Sequence, residues 1–323
     1  MREENLVEVK DLKKYFTVNG NRGQKLTLKA LDGVNLVIKK GETMGLVGES
    51  GCGKSTLGKA ILHLYEPTSG EIFINGNSIS NIRGKKEKKE FCKQVQLIFQ
   101  DPSSCLNPRK KIKDILAEPY EIHKIGDKKS RLSDISELCE LVGLSSQFLE
   151  RFPHEMSGGQ KQRIGIARAL ALHPELVVCD EPVSALDVSV QAQVINLLMD
   201  LREQLHLTYL FISHDLSVVK YICQKICVMY LGRIVESASS DEIYHHTLHP
   251  YTQALISSIP IADTNSHGDR IVLKGEFPSP VDPPTGCPFH PRCPRAMDKC
   301  KSCVPEMKEV TKGHMVACHI YDK

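Results

Sequence analysis

The stretch Gly48-Glu49-Ser50-Gly51-Cys52-Gly53-Lys54-Ser55-Thr56 decides how the rest of the chain is read. It fits the pattern G-x-x-x-x-G-K-[ST]. Glu42-Thr-Met-Gly-Leu-Val47 before it reads as a short buried strand, and Thr56 to Leu64 after it as a helix. Strand, glycine loop and helix in that order make a phosphate cradle. Glycines let the backbone curl so that successive N–H groups point at one anion. The helix that follows adds the partial positive charge of its N-terminus. Lys54 is placed to reach the β- and γ-phosphates of a nucleotide, and the Ser55 hydroxyl to ligate Mg²⁺. A ligand-free glycine turn would have no need of a lysine followed by a hydroxyl.

The 323 residues suffice for one large α/β domain plus an appendage. With 41% hydrophobic and 25% charged residues the composition is that of a globular protein, and a net charge of +3 gives no nucleic-acid footprint. No apolar run approaches the ~20 residues of a membrane-spanning helix. The start Met-Arg-Glu-Glu-Asn-Leu6 lacks the apolar core of a secretory signal. The expectation is a cytosolic chain that meets a membrane only through partners.

Residues Val7 to Leu36 alternate apolar and polar and read as an antiparallel, hairpin-rich sheet, continued by Ser69 to Gly76. The charge run Arg83 to Glu90 reads as a solvated helix face. Val95 to Phe99 is a short buried strand ending at Gln100-Asp-Pro. Pro102 to Phe152 is mostly helical, with Ile112, Ile115, Leu116 and Ile135, Leu138, Leu141, Val142 at helical spacing. Val190, Val194, Leu197, Leu198, Leu201 and Leu205 form a further apolar stripe. Tyr209 to Ile212 is a buried strand, and Ile226 to Tyr230 with Arg233 to Glu236 a hairpin around Gly232. Ile261 to Arg270 reads as a polar linker, and Phe277 to Pro294 is dense in proline and glycine.

Two more motifs belong with the phosphate loop. Leu176-Val-Val-Cys-Asp180-Glu181 is an apolar strand that delivers Asp180 to hold Mg²⁺ through water and Glu181 to polarise an attacking water. Ser157-Gly158-Gly159-Gln160 caps a helix whose first turn carries two glycines, where they cost helix stability. That first turn offers a second anion site, suited to a nucleotide held by another subunit.

The set resembles the nucleotide-binding subunits of ABC transporters, in that family's order: the phosphate loop, Gln100, Ser157 to Gln160, Asp180-Glu181, Ser184-Ala-Leu-Asp187 and His214. The resemblance implies that two subunits sandwich ATP head to tail. Gln100 would sense the γ-phosphate and, with Ser55 and Asp180, attend the Mg²⁺. Asp187 would link the two sites, and His214 would contact the γ-phosphate and orient Glu181. An aromatic near the N-terminus would stack on adenine; spacing favours Phe16, and Tyr15 is adjacent.

Within that family, Gln100 to Arg109, His249-Pro-Tyr-Thr-Gln-Ala-Leu255 and Gly286-Cys-Pro-Phe-His-Pro-Arg-Cys-Pro294 resemble the oligopeptide/dipeptide (nickel) permease ATP-binding subunits, and Gly51-Cys-Gly-Lys54 the second, F-type of their two ATPases. Twelve cysteines are many for a cytosolic chain, and five crowd its end. Cys287, Cys293, Cys300 and Cys318 match the group's pattern and imply a [4Fe–4S] cluster; Cys303 is an extra cysteine, and His290, His314 and His319 would suit Zn²⁺ instead.

The expected fold is α/β: a P-loop NTPase of ABC type with an antiparallel β subdomain, a helical subdomain and a small cysteine-rich C-terminal module. Residues 1–250 would be the nucleotide-binding domain, with the helical subdomain at about 101–170, and residues 251–323 the permease-type extension. The expected function is ATP hydrolysis powering peptide import. The expected partners are two transmembrane permease subunits, a second related ATPase subunit in a heterodimer and, indirectly, an extracytoplasmic peptide-binding protein, with no nucleic acid. The expected location is the cytoplasmic face of the cell membrane. A nickel-chelate importer of the same family is the nearer alternative, and a soluble ABC ATPase acting on DNA or ribosomes the more distant one.

Overall fold

Strands form where the sequence runs apolar or alternates. They are β1 (Asn5–Asn19), β2 (Lys25–Lys39), β3 (Thr43–Val47), β4 (Ser69–Ile74), β5 (Asn77–Ser78), β6 (Val95–Ile98), β7 (Leu176–Asp180), β8 (Thr208–Ile212), β9 (Lys225–Tyr230), β10 (Arg233–Ser239), β11 (Lys308–Thr311) and β12 (His314–Val316). The helices are α1 (Lys54–Ile61), α2 (Lys85–Gln94), α3 (Pro102–Cys105), α4 (Ile112–His123), α5 (Lys128–Leu141), α6 (Gly158–Leu170), α7 (Val188–Leu205), α8 (Leu216–Ile222), α9 (Ser240–His245), α10 (Pro250–Ser257) and α11 (Asp298–Ser302). The computed structural model describes residues 4–20, 24–259 and 271–322. The linker expected at Ile261 to Arg270 lies outside the described residues. Among the described residues no helix is long and apolar enough to cross a membrane.

The chain divides into two units. The first holds Glu4, Lys39–Glu42 and Ser80–Ile212. Its strands β6, β7 and β8 lie parallel, Val95 opposite Leu176 and Leu176 opposite Thr208. Leu176, Val177, Val178 and Cys179 are all buried, as is the whole of β8, as expected for strands covered on both faces. The helical part packs Ile112, Ile115, Leu116 and Tyr120 of α4 and Ile135, Leu138 and Cys139 of α5 into one interior. The spacing i, i+3, i+4 puts each set on one face. Arg163 donates to the Val142 carbonyl at 2.6 Å and Arg168 to the Cys105 carbonyl at 2.6 Å, so α6 is tied to the end of α5 and to α3. The charge run behaves as expected: α2 buries only Phe91 and leaves its lysines in solvent.

The second unit comprises Asn5–Ile38, Thr43–Ile79 and the described part of Ser213–Lys323. One sheet has the order β2-β1-β4-β5, with β1 and β4 antiparallel. In the other, β3 runs parallel to β9, and β9, β10, β12 and β11 follow antiparallel. The C-terminal residues therefore extend the β10 edge instead of forming a separate cysteine-held module. Phe277 and Phe289 pack edge-on against Tyr230, each with its ring centroid 5.3 Å away, which anchors the tail by apolar burial.

Candidate functional site

In the second unit β3 ends at Val47 and the chain enters the phosphate loop. Gly48 and Gly53 sit at φ +151° and +112°; a β-carbon on them would come within 2.2 Å of the Met229 carbonyl oxygen and 2.4 Å of that of Ala30. Only glycine fits either place. Helix α1 begins after Gly53 without a side-chain cap, which suits its first N–H groups to an anion. Lys54 is only 5% exposed and folds back, its ammonium donating to the Gly48 carbonyl at 2.7 Å and the Glu49 carbonyl at 3.1 Å. That buried cation inside a ring of glycine backbone fits a nucleotide phosphate tail. Burial raises the Cys52 thiol, so it stays a neutral wall of the loop despite its lysine neighbour.

Tyr15 and Phe16 belong to the same unit. The Tyr15 hydroxyl donates to Asp32 at 2.5 Å, and Arg233 pairs with the other Asp32 oxygen at 2.6 Å. Burial, then the Asp32 hydrogen bond, pushes the Tyr15 phenol up to about 12. Phe16 makes an edge contact with Tyr65 at 5.4 Å, and the Lys14 ammonium lies 4.9 Å from its ring centroid. His214 is exposed in the turn between β8 and α8; that turn is fixed by the Ser213 N–H donating to the Leu46 carbonyl at 3.2 Å.

The first unit carries Gln100, Ser157 to Gln160, Asp180, Glu181 and Asp187. Asp180 ends β7, and Glu181 follows in a left-handed conformation, φ +47°. Its N–H donates to the Ile212 carbonyl at 3.0 Å, and its carbonyl accepts the Ser184 hydroxyl at 3.1 Å. Gln100 Nε2 donates to Glu181 Oε2 at 3.0 Å, so two residues 81 positions apart meet. Ser157 and Gln160 form a reciprocal cap on α6, the N–H of each donating to the side chain of the other, at 3.0 and 3.3 Å. Asp187 caps α7, accepting from the Val190 N–H at 3.0 Å and the Ser189 hydroxyl at 2.7 Å; these bonds, the Ser189 hydroxyl first, hold its carboxyl below the usual range.

Gly159 has a reason that the sequence did not disclose. A β-carbon there would meet Val190 Cγ1 at 2.5 Å, so α6 and the start of α7 approach too closely for alanine. Gly158 has no such neighbour closer than Leu186 Cδ2 at 3.4 Å. An anion site is therefore needed to explain only the first glycine.

The metal expectation at the C-terminus is overturned. Among the described residues no group of three or more His, Cys, Asp or Glu is placed to hold a metal ion. Cys287 and Cys300 are buried, Cys293 and Cys318 are half-buried and Cys303 is exposed. Burial raises the thiols of Cys287, to about 11, and of Cys293 and Cys318, so these sulfurs are protonated as they stand. His314 is taken by Glu236 at 2.7 Å, and His319 by Asp322 at 2.7 Å and the Cys303 carbonyl at 2.9 Å. Among the described residues these cysteines and histidines are not assembled into a site for a [4Fe–4S] cluster or for Zn²⁺.

Two contacts to the phosphate loop were not anticipated. Tyr251 Oη accepts the Glu49 N–H at 2.8 Å. Arg292 grips the Glu49 carboxylate with both terminal nitrogens, at 2.7 and 3.0 Å. Both residues lie in stretches singled out for their resemblance, but a bond between positions 243 apart has no local sequence signal.

A glycine cradle closed by a buried lysine, with a glutamine-bound carboxylate after an apolar strand, defines a P-loop nucleoside triphosphatase with an ABC-type signature turn. Comparison with known proteins agrees. Residues 31–184 match the ABC transporter family model, and residues 235–300 that of the oligopeptide/dipeptide transporter C-terminal region. The chain is 53% identical to the oligopeptide transport ATP-binding protein AppF of Bacillus subtilis, over 99% of this chain and 98% of that one. It is 48% identical to the dipeptide transport ATP-binding protein DppF of Haemophilus influenzae, over 96% and 95%. Among solved structures it resembles the dimeric post-hydrolysis state of the ATP-binding cassette MJ0796 bound to ADP and Pi, with a TM-score of 0.64 and 28% identity over 72% of this chain and 98% of that one. It also resembles cbiO1 from Clostridium perfringens, with a TM-score of 0.64 and 25% identity over 76% and 93%. The chain belongs to the ABC-transporter ATP-binding proteins of the oligopeptide/dipeptide branch. It is an ATPase of that class, whose work implies membrane permease partners and pairing of two ATPase cassettes.

Proposed function

We propose that this chain hydrolyses ATP to power the import of oligopeptides or dipeptides through a membrane permease. The observation that carries this reading is the near-full-length likeness to peptide-transport ATP-binding proteins, 53% identity over 99% of the chain. It favours peptides over a nickel chelate, and a transporter over an ATPase acting on DNA or ribosomes. The phosphate tail of ATP takes the backbone of Gly48 to Thr56, with Lys54 turning from the loop carbonyls to the β- and γ-phosphates. Phe16, which the spacing favours, stacks on adenine, and Tyr15 holds Asp32 through its hydroxyl. By the family resemblance Ser55, Gln100 and Asp180 would hold Mg²⁺, which would neutralise charge on the phosphates. Glu181 accepts a proton from the attacking water, Gln100 holds that carboxylate, and His214 orients the pair against the γ-phosphate. Ser157, Gly158, Gly159 and Gln160 complete the site of a second cassette, and Asp187 joins the two.

In this reading residues 1–250 are the nucleotide-binding domain and residues 251–323 the permease-type extension. The partners are two transmembrane permease subunits and a second, related ATPase, with a peptide-binding protein outside the membrane. The chain works at the cytoplasmic face. The test is reconstitution with the permease pair, the second ATPase and the binding protein in vesicles, reading ATP turnover against added peptide. Peptide-stimulated turnover that drops with Glu181→Gln supports the assignment; turnover indifferent to peptide would overturn it.

A further inference from the structure

Glu49, the second residue of the phosphate loop, is held at three points. Its carbonyl takes the Lys54 ammonium at 3.1 Å, its N–H goes to Tyr251 Oη at 2.8 Å, and its carboxylate is forked by Arg292 at 2.7 and 3.0 Å. Only the first of these lies inside the loop. Tyr251 comes from α10 and Arg292 from the proline-rich stretch of the tail. Both holding groups are themselves fixed. The Tyr251 ring is fully buried, with its centroid 4.7 Å from that of Tyr230 and 5.4 Å from that of Phe289. The Arg292 side chain is only 8% exposed, with its guanidinium 5.9 Å from the Phe277 ring centroid. A carboxylate in a phosphate-binding loop repels the ligand unless it is neutralised, and a bidentate arginine both neutralises and aims it.

We propose that Arg292, with Tyr251, is a positioning residue for ATP binding: the C-terminal tail clamps Glu49 from outside the loop and so sets the affinity of the phosphate site. The inference rests on the chain binding ATP at this loop. Arg292 acts through Glu49 and does not itself touch the nucleotide. Losing it frees an uncompensated carboxylate beside the phosphates, so affinity falls while the proton transfer at Glu181 is untouched.

The test measures binding of a fluorescent ATP analogue, with Mg²⁺, to the full-length chain and to Arg292→Gln, Arg292→Lys and the double variant Glu49→Gln/Arg292→Gln, with thermal unfolding to check folding. Arg292→Gln is expected to weaken binding roughly tenfold, the usual scale for loss of a forked charged pair. The double variant should recover to within about threefold of the unaltered chain, because the stranded carboxylate is gone. Arg292→Lys, which keeps the charge without the fork, should fall between and serves as the readout if Arg292→Gln does not fold. In the reconstituted transporter the same variants should raise KM for ATP with little change in kcat. Unaltered affinity in a folded Arg292→Gln or Arg292→Lys would overturn the clamp, as would a loss that Glu49→Gln does not recover. Failure of the unaltered chain to bind the analogue would instead overturn the assignment of the ATP site.

Discussion

Gln100 donates to Glu181 across a gap of 81 residues at 3.0 Å, which joins the end of one buried strand to the residue that follows its neighbour. The bond restrains a carboxylate whose backbone is already unusual at φ +47°, a conformation that costs a residue with a β-carbon about 1–2 kcal/mol. The strained turn takes the chain out of β7 at Glu181, and the amide of Gln100 holds the carboxylate there. Glu181→Gln preserves the shape and removes the base, so ATP turnover in the assembled transporter should fall by roughly 10²–10⁴-fold with ATP binding retained. Gln100→Ala leaves the base but loosens it, and a smaller loss of about tenfold is expected. Single-turnover hydrolysis beside equilibrium ATP binding checks both; equal losses in the two variants would mean that Gln100 does more than hold Glu181.

The two glycines after Ser157 should part company on substitution. Gly159→Ala drives a methyl group into Val190 and should cost about 1–3 kcal/mol of stability. Gly158→Ala meets only ordinary contact and gains helix propensity, so stability should hold or rise by up to about 1 kcal/mol. If Gly158 serves the anion site, its variant should nevertheless lose turnover, about tenfold or more, in the paired cassettes. Denaturant midpoints together with ATP turnover separate the two effects. A stable Gly158→Ala chain with full activity would remove Gly158 from the site.

Tyr15 and Phe16 are distinguished by what each already holds. Tyr15→Phe breaks the bond to Asp32 and should cost about 1 kcal/mol while leaving ATP affinity in place. Phe16→Ala should leave the Asp32–Arg233 pair intact and weaken ATP binding roughly tenfold, as loss of one aromatic stacking partner does. Competition of ATP with a fluorescent analogue on each variant is the measurement. Full affinity in Phe16→Ala with a loss in Tyr15→Ala, which removes the ring, would move the adenine contact to Tyr15.

Much of this architecture was legible because burial on both faces leaves an unbroken apolar run. Met44 to Val47, Leu176 to Cys179 and Tyr209 to Ile212 could be read directly, and the phosphate loop follows from where its strand ends. Amphipathic helices were legible in the middle and less so at their ends. In α7, Val194, Leu198 and Leu201 are buried as their spacing implied, while Leu205 is 37% exposed and the unanticipated Ile195 is buried. What spacing could not reveal depends on distant partners. Gly159 answers to Val190, and Glu49 to Arg292, through tertiary approach alone. The cysteines show the converse limit. Four thiols at a suggestive spacing looked like ligands, but no metal-holding group is assembled among the described residues.

The last prediction concerns pH. Glu236 is fully buried on β10 and accepts from the Leu248 N–H at 2.7 Å, the His249 N–H at 3.1 Å and His314 Nε2 at 2.7 Å. A second carboxylate, that of Glu242 on α9, lies 3.5 Å from His314 Nδ1. Burial alone would lower His314, but the hydrogen bond and charge of Glu236, then those of Glu242, outweigh it and raise the imidazole above 6.5. A histidine raised on folding contributes stability that is fully present below its unfolded value and is lost as pH rises through the folded one. His249 works in the opposite sense. Burial lowers it to about 4 despite Glu236, so its contribution is present above 6.5 and is lost as pH falls toward 4. The C-terminal sheet edge should thus be held best between the two ranges. His314→Gln keeps a donor for Glu236 but not the charge, and should cost about 1–3 kcal/mol at pH 6, a gap that narrows as pH rises through the raised folded value of His314. Thermal unfolding of both proteins from pH 5 to 9 checks this. A gap that does not change with pH would mean that His314 stays neutral and serves β12 by packing alone.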